Sequence, residues 1–122
     1  MSVEKAVIAS SPGSATLQGF HDEFIAKMEL RDEGKWILLA KVTLNNADSD
    51  SQWVVGKLVH DANVVIAEEK QYIGFLDPFC TYFQVGFISK GKETITLQCN
   101  TYNGVAEHGS FLALKVDDIE FQ

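Results

Sequence analysis

The sequence predicts an all-β protein folded as an antiparallel β-sandwich. Three observations carry that expectation. Apolar and polar side chains alternate with a period of two through most of the 122 residues. The alternating runs are rich in Val, Ile, Thr, Phe and Tyr, and turn residues divide them at the spacing of sandwiches and barrels. No segment shows helical spacing that the strand pattern does not match as well.

Residues 3–9 and 24–30 make the first two strands. A short amphipathic helix competes over 20–31, but Phe24, Ala26, Met28 and Leu30 alternate cleanly and favour the strand. Residues 35–44 follow, with Trp36, Leu38, Ala40, Val42 and Leu44 on one face. The other face carries Ile37 and Leu39 before it turns polar at Lys41 and Thr43, so this strand is central and covered on both sides near its start. Residues 52–60 and 63–68 are two more strands, split by the turn Asp61-Ala62. Pro78 bars a central strand position, and the last strands fall at 81–89, 94–102 and 110–116.

The loop Lys90-Gly91-Lys92 sets an expected register. As a three-residue hairpin it pairs Phe87 with Ile95, Val85 with Leu97 and Phe83 with Cys99, leaving Thr94, Thr96 and Gln98 outside. A two-residue loop would set polar groups among the aromatics, because a one-residue slip turns every side chain to the other face. Cys99 then faces inward and Cys80 outward, so the two thiols stay free. About eight short strands cannot leave an apolar face bare, so two sheets pack together in a single domain over 1–122. The jelly roll is the arrangement they suit best.

Composition narrows function by exclusion. The formal charge of −7 repels phosphate backbones and argues against nucleic acid as a partner. No apolar run approaches membrane-helix length, and the N-terminus lacks the pattern of a secretory signal. A soluble protein is expected, cytoplasmic by that absence, with an extracellular setting left open.

The stretch Asn45-Asn46-Ala47-Asp48-Ser49-Asp50-Ser51 invites a calcium reading through Asp48 and Asp50. Counted from Asp48, a helix-loop-helix calcium site needs Gly and Glu where Trp53 and Val59 stand. Asn and Asp also favour tight turns, and the turn is the better reading. No cofactor is expected. Calcium remains the one metal these oxygens suit, with help from Asp77 or Asp117.

Asp118 and Glu120 would share a strand face about 7 Å apart, within the range of inverting glycosidases. A solvated strand end explains them as well. His21, His60 and His108 are scattered and show no metal-binding spacing. Ser14 and Ser110 lack a nucleophile elbow, and residues 11–19 imitate a phosphate loop only loosely and read as a loop. Cysteine spacing supports neither zinc nor dithiol chemistry. Aromatics give the remaining signal. Trp53 follows the acidic turn, and Tyr72, Phe75, Phe79, Tyr82 and Tyr102 gather near turns, as in a sugar platform, a subunit interface or a core.

Residues 97–106 (LQCNTYNGVA) and 112–116 (LALKV), with the strand from Trp36 to Asn45, its Asn/Asp turn and Gly56-Lys57-Leu58, resemble small uncharacterised bacterial all-β domains. Such domains are similar to the jelly rolls of the complement C1q and tumour-necrosis-factor type. The resemblance implies trimers that bind other macromolecules, and it carries no catalytic residue. The expected function is therefore a non-catalytic domain that self-associates, as a trimer by that resemblance, and binds a protein or glycan partner through its loops. The alternative is a monomeric carbohydrate-binding module, calcium-assisted, using Trp53, Tyr102, Asp48 and Asp50. A small glycosidase or isomerase working through Asp118 and Glu120 is the enzymatic alternative.

Overall fold

The computed structural model describes residues 2–61 and 63–121. Eight strands occupy them: β1 (Val3–Gln18), β2 (Glu23–Leu30), β3 (Gly34–Asn46), β4 (Gln52–His60), β5 (Val64–Ile73), β6 (Pro78–Ser89), β7 (Glu93–Thr101) and β8 (Asn103–Val116). They form two four-stranded antiparallel sheets, one in the order β1-β8-β3-β6 and the other β2-β7-β4-β5. Only β4 and β5 are neighbours both in sequence and in a sheet. Pairing then runs outward through β3 with β6, β2 with β7 and β1 with β8. The chain is one long hairpin wound into a sandwich, which is the jelly roll.

Side-chain parity builds the core. On β3, Trp36, Leu38, Ala40, Val42 and Leu44 are buried as the alternation predicts. They meet Phe83, Phe111 and Ala113 from their own sheet and Met28, Leu30, Val54, Leu58, Ile95, Leu97 and Cys99 from the other. In register, the Phe111 ring lies between Ala9 of β1 and Ala40 of β3, so two small side chains make room for one large one. The opposite face of β3 differs from expectation: Ile37 and Leu39 are only half-buried, because nothing among the described residues lies fully over them.

Several sequence expectations need correction. The hairpin across Lys90-Gly91-Lys92 does not form, since β6 lies in the first sheet and β7 in the second. The face assignments survive, with Phe83, Ile95, Leu97 and Cys99 all buried. A short connection can arch between sheets as readily as it closes a hairpin, and parity alone does not separate the two. Gly91 and Lys92 both take positive φ in that arch. Thr96 and Gln98 point away from the core but are buried beside each other, with the Gln98 amide donating to the Thr96 hydroxyl at 2.8 Å.

Residues 11–18, expected as loop, continue β1 along β8. The register shifts between Ser11 and Ser14, opposite the positive-φ residue His108, so a bulge absorbs Pro12 and Gly13 on an edge strand. At the other end β8 stops at Val116. Asp118 is paired with Lys35 at 3.0 Å outside any strand, so the expected shared strand face of Asp118 and Glu120 does not exist. The turn after β4 holds Asp61 at φ 54°, while Ala62 lies outside the described residues.

Cys80 is exposed on the first sheet, Cys99 is buried in the second, and both are free. Burial pushes the Cys99 thiol up to about 12, so its thiolate is scarce at any ordinary pH. A thiol reagent is expected to label one cysteine in the native protein and two in denaturant. Rapid labelling of both in the native state would contradict this packing.

Candidate functional site

The antiparallel winding brings four connections to one end of the sandwich: residues 19–22, 47–51, 74–77 and Tyr102. Asn46 organises that end. Parity from Trp36 points it inward, and it is fully buried at the last position of β3. Its amide donates to the carbonyls of Asp50 at 2.9 Å and Ile73 at 3.0 Å. Its Oδ1 accepts from the Asp48 backbone N–H at 2.8 Å and from the Gln52 amide. Gln52 also holds Asn103 through both its amide N–H and its carbonyl oxygen. One side chain therefore ties the 47–51 turn to the end of β5 and, through Gln52, to the start of β8.

Asp48 and Asp50 are placed by this network through backbone atoms. The 74–77 turn joins it, with the Leu76 N–H donating to the Asn46 carbonyl at 2.8 Å. Asp77 thus lies at this end, whereas Asp117 is held by Ser2 at the other. Among the described residues, no three His, Cys, Asp or Glu side chains are grouped to hold a metal ion. The histidines are spread over the connection after β1, the end of β4 and the bulge of β8. His60 alone is substantially covered, with Nε2 3.1 Å from Asp61 and 3.4 Å from Glu93.

Beside Asn46, on the outer face of the second sheet, aromatic rings converge. Trp53 of β4 lies opposite Tyr72 of β5, their centroids 5.4 Å apart. Phe20 and Tyr102 form a second pair at 5.9 Å. All four rings are more than half exposed. Between the pairs is a hollow of about 470 Å³ lined by Phe20, Trp53, Val55, Lys70 and Asn100. The Asn100 amide donates to Asp22 at 2.6 Å, and the other oxygen of Asp22 is 2.8 Å from the Lys57 ammonium. Burial raises the Asp22 carboxyl, but hydrogen bonds from Lys57 and Asn100 and the Lys57 charge outweigh it and hold the group below the usual carboxylate range.

Of the sequence-predicted residues, Trp53 lines the hollow, and Tyr102 stands behind its wall as the ring partner of Phe20. Asp48 and Asp50 do not line it, and Lys70 and Asn100 occupy the polar positions instead, with Asp22 and Lys57 behind Asn100. Local sequence gives no sign of Phe20, which lines the hollow, or of Asp22, which anchors Asn100 there, since both depend on pairing between distant strands. Asn46 was within reach, because strand parity places this polar residue inward.

The outer face of the first sheet is apolar. One row runs Ile8, Leu112, Leu39 across β1, β8 and β3, and the next runs Ala6, Leu114, Ile37. Ile8 is 75% exposed, and Tyr82 and Ile88 of β6 extend the patch. Leu39, Tyr82 and Leu112 line a depression of about 230 Å³ on it. Phe121 lies over Gly86 at one side, where a Cβ would come within 2.7 Å of the ring.

No protein-family model matches the chain. No curated protein sequence matches it either. Solved structures share its fold. An Eiger TNF from S. frugiperda superposes with a TM-score of 0.67 at 8% identity, over 95% of this chain and 96% of that one. The VP2 subviral particle of infectious bursal disease virus gives 0.64 at 8% identity, over 93% of this chain and 34% of that one. The T13 particle of the same virus gives 0.64 at 8%, over 91% and 31%. The chain spans about a third of those capsid chains. At such identities the likeness shows the fold, an all-β jelly roll, and it is not confined to the bacterial domains that the sequence resembles.

Proposed function

We propose that the protein is a non-catalytic interaction domain that self-associates through the outer face of the first sheet, leaving the loop end of the sandwich free to bind a partner. The observation that carries this reading is the two-row apolar face running from Ile8 to Leu39. A contiguous apolar surface rimmed by polar side chains marks an association site in a soluble protein. Lys41 and Ser110 border the rows on one side, and Lys35 borders them on the other. The half-burial of Ile37 and Leu39 fits a strand whose second cover comes from another copy. The capsid structures are of viral particles, so the same architecture packs many copies in those proteins. A trimer is the copy number that the sequence resemblance implies.

Light scattering coupled to size-exclusion chromatography tests the reading. Wild-type protein is expected at a multiple of the monomer mass, and Ile8→Lys with Ile88→Lys at the monomer mass with an unchanged β-sheet circular dichroism spectrum. Both side chains are mainly exposed, so the pair costs the fold little. A wild-type monomer at every concentration would overturn the proposal.

A further inference from the structure

We propose that the hollow between the Trp53–Tyr72 and Phe20–Tyr102 ring pairs is a binding site for an uncharged saccharide. The inference deepens the reading of the loop end as a partner-binding region, and it concerns the sheet opposite the one assigned to self-association.

The hollow has walls, a floor and polar groups. Its walls are the Phe20 and Trp53 rings, each more than half exposed and each backed by a tilted second ring, Tyr102 behind Phe20 and Tyr72 behind Trp53. Its floor is Val55, paired across the sheet with Lys70 on one side and Asn100 on the other. Asn100 uses one N–H on Asp22, and an amide has a second N–H and a carbonyl oxygen to offer. Anchoring by Asp22 and, behind it, Lys57 fixes that amide before any ligand arrives, which lowers the entropy lost on binding.

Two features select the class of occupant. Trp53, Val55 and Asn100 stand on β4 and β7, both central strands whose backbone groups are used on either side by sheet pairing, and Lys70 stands on the edge strand β5. Over β4 and β7, where Trp53, Val55 and Asn100 stand, an extended peptide therefore cannot bind by adding a strand. The local charges are also matched: Lys57 faces Asp22 at 2.8 Å and Lys70 faces Glu68 at 3.4 Å. A charged ligand would compete with these pairs for its partner. What remains is an uncharged molecule held by ring faces and directed hydrogen bonds. A sugar ring presents an apolar C–H face to an aromatic side chain and hydroxyls to an amide.

The backbone adds a third sign. Phe20 sits at φ 59°, an outlier for a bulky side chain, directly after Gly19 at φ 63°. The Gly19 and Phe20 N–H groups donate to the carbonyls of Tyr102 and Thr101 at 2.8 and 3.0 Å, which fixes the turn. Strain of this kind persists where the surroundings enforce it and concentrates at ligand sites. Here it delivers the Phe20 ring to the edge of the hollow.

The test is affinity electrophoresis of the full chain in gels containing neutral glucans, xylan, galactomannan or soluble chitin oligomers. Acrylamide quenching of tryptophan emission is read in parallel, since Trp36 is buried and Trp53 is the accessible indole. At least one polysaccharide is expected to retard the wild type and to protect Trp53 from the quencher. Trp53→Ala is expected to weaken retardation about tenfold or more, equivalent to about 1.4 kcal/mol, and Asn100→Ala several-fold. The quenching readout on wild-type protein needs no variant to fold. No retardation and no protection with any probe would overturn the proposal, as would retardation that Trp53→Ala leaves intact. Light scattering on Trp53→Ala separates the two readings. A fall in assembled mass would make the hollow an interface between copies and end the saccharide assignment, whereas a wild-type monomer would end self-association and leave the hollow untouched.

Discussion

Asn46→Ala is expected to destabilise the protein by about 3 kcal/mol, lowering the melting temperature by roughly 10 °C. Asn46 is fully buried and makes four hydrogen bonds, two as donor and two as acceptor. Alanine removes all four and leaves their partners behind. The Asp48 N–H and the Asp50 carbonyl lie near the surface and can turn to water. The Ile73 carbonyl and the Gln52 amide are enclosed, and each buried group left unpaired costs about 1–3 kcal/mol. Asn46→Asp is the sharper control, because its shape is kept while both donors are lost and a carboxylate faces two carbonyls. Asp48→Ala and Asp50→Ala are expected within about 0.5 kcal/mol of wild type, since only their backbone atoms are used. Thermal denaturation of the four variants checks the pattern. Near-normal stability of Asn46→Ala would show that this side chain does not hold the loop end together.

Phe111→Ala should cost about 4 kcal/mol, measured by denaturant unfolding, with the midpoint moving and the slope unchanged. The ring is 1% exposed and sits in register between two alanines. Neither Ala9 nor Ala40 can reach into the space it leaves, so the cavity persists and the loss falls toward the upper part of the large-to-small range. Phe111→Leu, which retains most of the volume, should cost less than half as much. A loss below about 1.5 kcal/mol for Phe111→Ala would mean that the sheets close over the gap.

The alternation in 36–44 was sufficient to find the buried face of β3, because burial imposes a period of two on any strand that covers a core. The same reasoning found the opposed faces of Cys80 and Cys99. It could not tell that the chain leaves the first sheet at Lys90 and enters the second at Glu93, since a hairpin and an arch present the same parity. Punctuation misled in a different way at Pro12 and Gly13, where an edge strand with a bulge tolerates residues that would end a central one. The ring hollow was half visible. Trp53 and Tyr102 stood out as aromatics near turns, but Phe20, Asp22 and Asn100 join them only through contacts between distant parts of the chain. Asp48 and Asp50 lie in the expected turn, whose backbone is held by the buried Asn46.

The nested pairing of strands has a kinetic consequence. Only the β4–β5 contact closes a short loop, and every further pair must bring together segments separated by a longer stretch of chain. Productive folding therefore has a natural order, starting at the innermost turn and ending when the first and last strands meet. Until that final closure, the edge of β8 and the apolar flank beside it stay open to other molecules. The surface proposed to join mature copies is thus also the one on which premature encounters would be most costly.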